Sequence, residues 1–128
     1  MIKKIFTLLV IVFVTAVAFA KGGAEIKFNT TVHDFGTIKA AKGEVSYAYK
    51  FTNTGDAPLV IVSVTNGGCG CTRPEYPKQP IAPGKTGVIT IKFNPTGRRG
   101  EFNRQVQVKT NAAKSKRVKL KFSGSIIP

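Results

Sequence analysis

The sequence predicts an all-β domain, folded as an antiparallel sandwich of short strands, and three observations point that way. Apolar residues recur at every second position in segment after segment, the period of a half-buried strand. Clusters of Asn, Gly, Pro and Asp interrupt these segments at intervals of about ten residues, the spacing of turns in a two-sheet sandwich. No stretch beyond residue 20 carries the apolar period of a helix.

The residues before that point carry a different signal. Lys3 and Lys4 make a short basic start, and residues 5–17 are apolar apart from Thr7 and Thr15. Ala18-Phe19-Ala20 then fits the small-x-small pattern of a signal-peptide cleavage site. The apolar run is shorter than the roughly 20 residues of a bilayer-spanning helix, and no basic stop-transfer cluster follows it at once. The expectation is a cleaved signal peptide at residues 1–20 and an exported domain at residues 21–128. That domain is placed in the periplasm or outside the cell, with no membrane span after cleavage. No cysteine follows the apolar run, which argues against a lipid anchor.

Within the domain, Glu25-Ile26-Lys27-Phe28 alternates in polarity and forms the opening strand. His33-Asp34-Phe35-Gly36-Thr37-Ile38 is a second extended piece, and residues 40–43 make a turn. Val45, Tyr47, Tyr49 and Phe51 recur at period two and turn an aromatic-rich face inward. Asn53-Thr54-Gly55-Asp56 is a turn cluster, with Ala57-Pro58 leading out of it. Residues 59–64 are β-branched and almost continuously apolar, the composition of a central strand covered on both faces. Ile89, Ile91 and Phe93 share one face of the next strand. Phe102, Val106 and Val108 mark another, and Val118, Leu120 and Phe122 the last, with Asn94-Pro95-Thr96-Gly97 and Asn111-Ala112-Ala113 as turns between them. A single sheet cannot bury both faces of residues 59–64, so two packed sheets are required. The expected architecture is an immunoglobulin-like antiparallel β-sandwich of seven to eight strands.

The chain carries a formal net charge of +14. Removing residues 1–20 takes away only Lys3 and Lys4, which leaves eighteen basic against six acidic residues, or +12. Such a surplus concentrates anionic partners around the protein. An exported protein rarely meets nucleic acid, so the expected partners are another envelope protein or an anionic envelope component: acidic lipid, lipopolysaccharide or wall polymer. Strand alternation turns Gln105, Gln107 and Lys109 outward on one strand and Arg117, Lys119 and Lys121 outward on the next. Lys114 and Lys116 lie in the turn between them. The final hairpin thus carries a basic ridge. A competing explanation is that lysines on exposed strands block edge-to-edge pairing and bind nothing.

Pro74, Pro77, Pro80 and Pro83 fall at every third residue, the repeat of a polyproline II ribbon with all four rings on one side. Without backbone donors, such a stretch lies at a sheet edge or across a sheet end. It serves either as a stiff connector between the two sheets or as a docking strip.

Cys69-Gly70-Cys71-Thr72 is the most chemical stretch of the chain. Export into an oxidising compartment favours a disulfide between two such cysteines. At i and i+2 of an extended strand their Cα atoms stand about 6.6 Å apart, near the upper limit for a bridge. Gly70 between them, with Gly67-Gly68 before, permits the bend that brings the sulfurs together. Closing so short a loop is worth roughly 1.6 kcal/mol by chain entropy, and less once strain is included. The pair is therefore a poor staple and better suited to a strained, oxidising dithiol. Three roles stay open for Cys69 and Cys71. They form a pair that only shapes its loop, a thiol–disulfide exchange centre with Arg73 nearby to favour thiolate, or a soft-metal site for Cu(I) or Zn(II). Beyond the signal peptide the chain has two thiols, His33 and no Met. A closed zinc site needs His33 plus a carboxylate or a second molecule, whereas two-coordinate Cu(I) needs only the two thiolates. His33-Asp34 lacks a partnered nucleophile, so no catalytic residues are expected and no enzymatic activity.

Several of these strings recur together in one known family. His33-Asp34-Phe35-Gly36-Thr37-Ile38, Phe51-Thr52-Asn53-Thr54-Gly55-Asp56-Ala57-Pro58-Leu59, Gly68-Cys69-Gly70-Cys71-Thr72, Ile81-Ala82-Pro83-Gly84-Lys85 and Phe93-Asn94-Pro95 follow in order. The pattern resembles the domain of unknown function 1573 (DUF1573) family of exported bacterial proteins, over about residues 25–124. It also looks like the wider group of major-sperm-protein and ASH-type immunoglobulin-like domains. The resemblance implies a seven- or eight-stranded sandwich acting as a binding or scaffold module. It implies no assigned activity and brings no agreed role for Cys69 and Cys71.

Overall fold

Two four-stranded sheets pack face to face in a computed structural model, which describes residues 22–128. The signal-peptide reading of residues 1–20 lies outside the described residues. In chain order the strands are β1 (Ile26–Phe28), β2 (Val32–Lys39), β3 (Val45–Asn53), β4 (Ile61–Val64), β5 (Thr72–Glu75), β6 (Thr86–Phe93), β7 (Gly100–Thr110) and β8 (Arg117–Ile127). One sheet has the order β1-β3-β6-β5 and the other β2-β8-β7-β4. Among the described residues no helix is long and apolar enough to cross a membrane.

The period-two residues meet between the sheets. Tyr49 and Phe51 of β3 and Ile89, Ile91 and Phe93 of β6 face Val106 and Val108 of β7 and Leu120 and Phe122 of β8, all fully buried. Burying each such side chain stabilises the fold by about 1.5–3 kcal/mol, so this layer supplies the main driving force. Phe93 is its centre, stacked on Phe102 at 4.7 Å and tilted against Phe122 at 5.7 Å. Gly87 leaves room for the Phe51 ring, whose Cζ lies 2.6 Å from where a Cβ at Gly87 would stand. The Tyr49 hydroxyl crosses between the sheets and donates to the Lys121 carbonyl at 2.7 Å. Burial, with a smaller contribution from Tyr47, pushes the Tyr49 phenol well above its ordinary pKa and keeps it a donor.

Among the described residues Asn53 is the one fully buried side-chain amide. Its Nδ2 donates to the carbonyls of Ala57 (2.8 Å) and Ile81 (2.9 Å). Its Oδ1 accepts from the amides of Gly55 (3.0 Å) and Glu25 (3.3 Å). One side chain thus ties β1, the turn after β3 and the proline ribbon together.

The structure departs from the sequence expectations in three places. Residues 59–64 do not form a central strand. β4 is an edge strand, paired only with β7, and a bulge between Ile61 and Ser63 turns Val62 outward, 51% exposed. Leu59, Ile61 and Val64 account for the apolar composition by pointing into the core. The proline segment also begins as a strand. Pro74 sits in β5 opposite Ile91, at the sheet edge where a missing amide donor costs no ladder bond. The crossing between sheets is made by residues 65–71. The rest of the ribbon runs from β5 back to β6 in the same sheet, pinned by mutual backbone hydrogen bonds between Leu59 and Ile81. Finally, β2 runs parallel to β8 while the other pairings are antiparallel. The chain leaves β1 on one sheet, turns at residues 29–31, and joins the other through a hydrogen bond from the Lys121 amide to the Thr31 carbonyl.

Candidate functional site

The six cations of the expected ridge come together on one surface. The β7–β8 register sets Lys109 opposite Arg117, Gln107 opposite Lys119 and Gln105 opposite Lys121. All of these point away from the core, and Lys109, Lys114, Lys116, Arg117, Lys119 and Lys121 are exposed. Alternate residues on a strand stand about 6.8 Å apart and neighbouring strands about 4.8 Å, so four of the charges share a patch roughly 14 Å by 5 Å. Among the described residues the two ion pairs are Arg73–Glu44 and Lys92–Glu75, and neither involves the ridge. A shallow hollow of about 180 Å³, lined by Thr65, Gly67, Gln105, Gln107 and Lys119, adds neutral hydrogen-bonding groups beside it. Exposed Val32 on β2 and Val62 on β4 flank the charged strands.

The tip of this hairpin is held in place. The Thr110 hydroxyl donates to the Ser115 carbonyl and accepts from the Ala112 amide, both at 3.0 Å. Asn111 accepts from the Val60 amide and donates to the Pro58 carbonyl. The Glu25 carboxylate accepts from the amides of Lys114 and Ser115, each at 3.2 Å. Partial desolvation opposes the ionised Glu25, but hydrogen bonds from Ile26, Ser115 and Lys114 outweigh it and hold its pKa below the ordinary carboxylate value. Lys114 and Lys116 are therefore presented from a fixed loop.

The cysteines lie toward the other end of the sandwich, in the crossing from β4 to β5. Cys69 and Cys71 are joined by a disulfide with Cα atoms 5.2 Å apart. Gly67 (φ +68°) and Gly68 (φ +81°) supply the left-handed backbone that folds the loop back. The Asn66 side chain accepts from the Gly68 amide, and backbone bonds run from Cys69 to Asn66 and from Thr72 to Cys69. Arg73, the basic residue nearest in sequence, pairs with Glu44 at 2.9 Å. The cation that reaches the sulfur is Arg98, whose Nη2 lies 3.3 Å from Cys69 Sγ. Its position 29 residues away conceals that contact from sequence reading.

His33 belongs to neither surface. Its ring stacks on Tyr47 at 3.6 Å and meets Phe35 edge-on, while the Asp34 carboxylate accepts from the Gly36 amide. Among the described residues no cluster of three or more His, Cys, Asp and Glu is arranged to hold a metal. The bridged cysteines carry no thiolate, so the Cu(I) or Zn(II) alternative first requires their reduction.

A family model described as protein of unknown function (DUF1573) matches residues 26–126. No curated protein matches the chain. The fold is similar to that of a protein of unknown function from Porphyromonas gingivalis W83, at 18% identity and TM-score 0.69, over 80% of this chain and 46% of that one. It is similar to the Vibrio cholerae VesB protease at 14% identity and TM-score 0.63, over 80% of this chain and 31% of that one. The chain thus spans less than half of either protein. It is also similar to the ASH / PapD-like domain of human CEP192, at 13% identity and TM-score 0.59, over 82% of this chain and 87% of that domain. At such identities the likeness carries the fold alone.

Proposed function

The chain belongs to the DUF1573 family, and from that premise we propose that it is an exported, non-catalytic binding domain of the bacterial cell envelope. Its ligand is an anionic envelope component, and it docks through the outer face of β7 and β8. One observation carries this reading: Lys109, Lys114, Lys116, Arg117, Lys119 and Lys121 stand exposed on one surface, and among the described residues none of them is ion-paired with a carboxylate. Guarding an open sheet edge accounts for only part of this set, because Lys109 is flanked by β4 and Lys121 by β2. Lys109 and Arg117 even stand directly opposite each other, an arrangement that destabilises a sheet unless something outside neutralises it. The N-terminal basic, apolar and small-residue sequence supports export.

A cation near an anionic surface contributes about 1 kcal/mol, falling off within a screening length of about 8 Å at physiological salt. Six of them together supply about 6 kcal/mol, a Kd in the tens of micromolar, without a deep pocket. The test is binding of the purified protein to anionic-lipid vesicles, to lipopolysaccharide and to an acidic wall polymer, with neutral vesicles as reference, across a salt series. The expected result is retention on at least one anionic matrix that collapses as salt rises. Equal binding to neutral vesicles, or binding indifferent to salt, contradicts the proposal.

A further inference from the structure

The disulfide loop is asymmetric in a way the binding reading does not use. Two donors converge on Cys69 Sγ: the Cys71 backbone amide at 3.2 Å and Arg98 Nη2 at 3.3 Å. Cys71 Sγ has only the Thr72 hydroxyl, at 3.7 Å, and its residue packs against the core cluster. A cation and an amide aimed at one sulfur favour negative charge there and leave its partner an ordinary thiol. The bridge encloses only Gly70, and the hydrogen bonds of Asn66, Gly68, Cys69 and Thr72 hold the loop without it. Opening the bridge therefore leaves the donors where they are.

We infer that the Cys69–Cys71 bridge is an exchangeable two-electron oxidant for dithiols, with Cys69 as the thiolate-bearing sulfur and Arg98 as the charge that stabilises it. A thiolate of an incoming dithiol, drawn by Arg98, attacks Cys69 Sγ and forms a mixed disulfide. The Cys69–Cys71 bond breaks, and Cys71 leaves with the bonding electron pair and takes a proton from water. The second thiol of the partner loses its proton to solvent and attacks its own sulfur in the mixed disulfide. Cys69 is expelled as a thiolate beside Arg98. The partner ends as a disulfide, two electrons poorer, and this protein as one thiol and one thiolate. Stabilising the leaving thiolate speeds the last step and shifts the equilibrium toward the reduced pair.

The test equilibrates the purified protein with glutathione redox buffers and counts free thiols by alkylation. Arg98→Gln is expected to move the equilibrium about tenfold toward the disulfide, and Arg98→Lys, which keeps the charge, to stay near wild type. In Cys71→Ser protein with Arg98 intact, Cys69 is expected to titrate below the ordinary thiol value of about 8.5, read by thiolate absorbance. An unshifted equilibrium in Arg98→Gln, or a Cys69 that titrates at or above that value, overturns the inference. The titration decides the matter alone if Arg98→Gln misfolds, and neither readout depends on what the basic ridge binds.

Discussion

Replacing Asn53 by Ala removes four hydrogen bonds from a side chain that is 0% exposed. The Ile81 carbonyl keeps its bond from the Leu59 amide, but the Ala57 carbonyl and the amides of Gly55 and Glu25 lose the partner that Asn53 supplies. Each lost bond is worth about 1 kcal/mol net, and a buried group left without a partner costs about 1–3 kcal/mol. Water reaches part of the turn at Gly55, which lowers the sum, so the expected loss is about 3–4 kcal/mol. A domain of this size has a total stability on the order of 5–15 kcal/mol. With a urea slope of about 1.5–2 kcal/mol per molar, the unfolding midpoint of Asn53→Ala falls by about 2 M. Circular dichroism or tyrosine fluorescence in a urea series reads this directly. An Asn53→Ala protein within about 1 kcal/mol of wild type, at an unchanged slope, refutes the view that this amide holds the turn, the ribbon and β1 together.

Three further outcomes follow from the same geometry. Gly87→Val places a branched side chain against the Phe51 ring, and the overpacking costs about 1–3 kcal/mol in urea unfolding. Tyr49→Phe removes the hydroxyl that bonds the Lys121 carbonyl and leaves the ring in place, so it lowers stability by only about 1 kcal/mol. Glu25 has its pKa held below the ordinary 4.5, so its carboxylate stabilises the fold above that pH and loses the contribution as pH falls through the native value. The stability gap between wild type and Glu25→Gln is therefore full near neutrality and closes in acid; a gap that persists unchanged at about pH 3 contradicts the assignment.

The strands that build the core were legible because their aromatic and β-branched residues keep strict alternation: Tyr47, Tyr49 and Phe51 in β3, Ile89, Ile91 and Phe93 in β6. The same alternation placed Lys109, Arg117, Lys119 and Lys121 on one face. β4 misled because composition reports burial, and burial at Leu59, Ile61 and Val64 is compatible with an edge as well as a centre. β5 was hidden by Pro74, which reads as a breaker until the neighbouring strand shows that its missing donor faces outward. The disulfide environment was the least legible. Arg73 is two residues from Cys71 but turns to Glu44, while Arg98 reaches Cys69 only because the turn after β6 folds beside the crossing loop. Asn53 likewise read as a turn former. Its role between three segments depends on Glu25 and Ile81, far from it in sequence.

Charge reversal with a charge-matched control decides whether a defined face of β7 and β8 docks the protein on an anionic surface. Lys119→Glu with Lys121→Glu changes the ridge, and Lys27→Glu with Lys50→Glu makes the same net change on exposed positions of the opposite sheet. At about 1 kcal/mol per cation, removing two lowers binding to the anionic matrix by about 30-fold, and reversing them lowers it further. The ridge variant is expected to lose binding while the control retains most of it. Equal losses in both variants contradict such docking, because the attraction then belongs to net charge and not to this face.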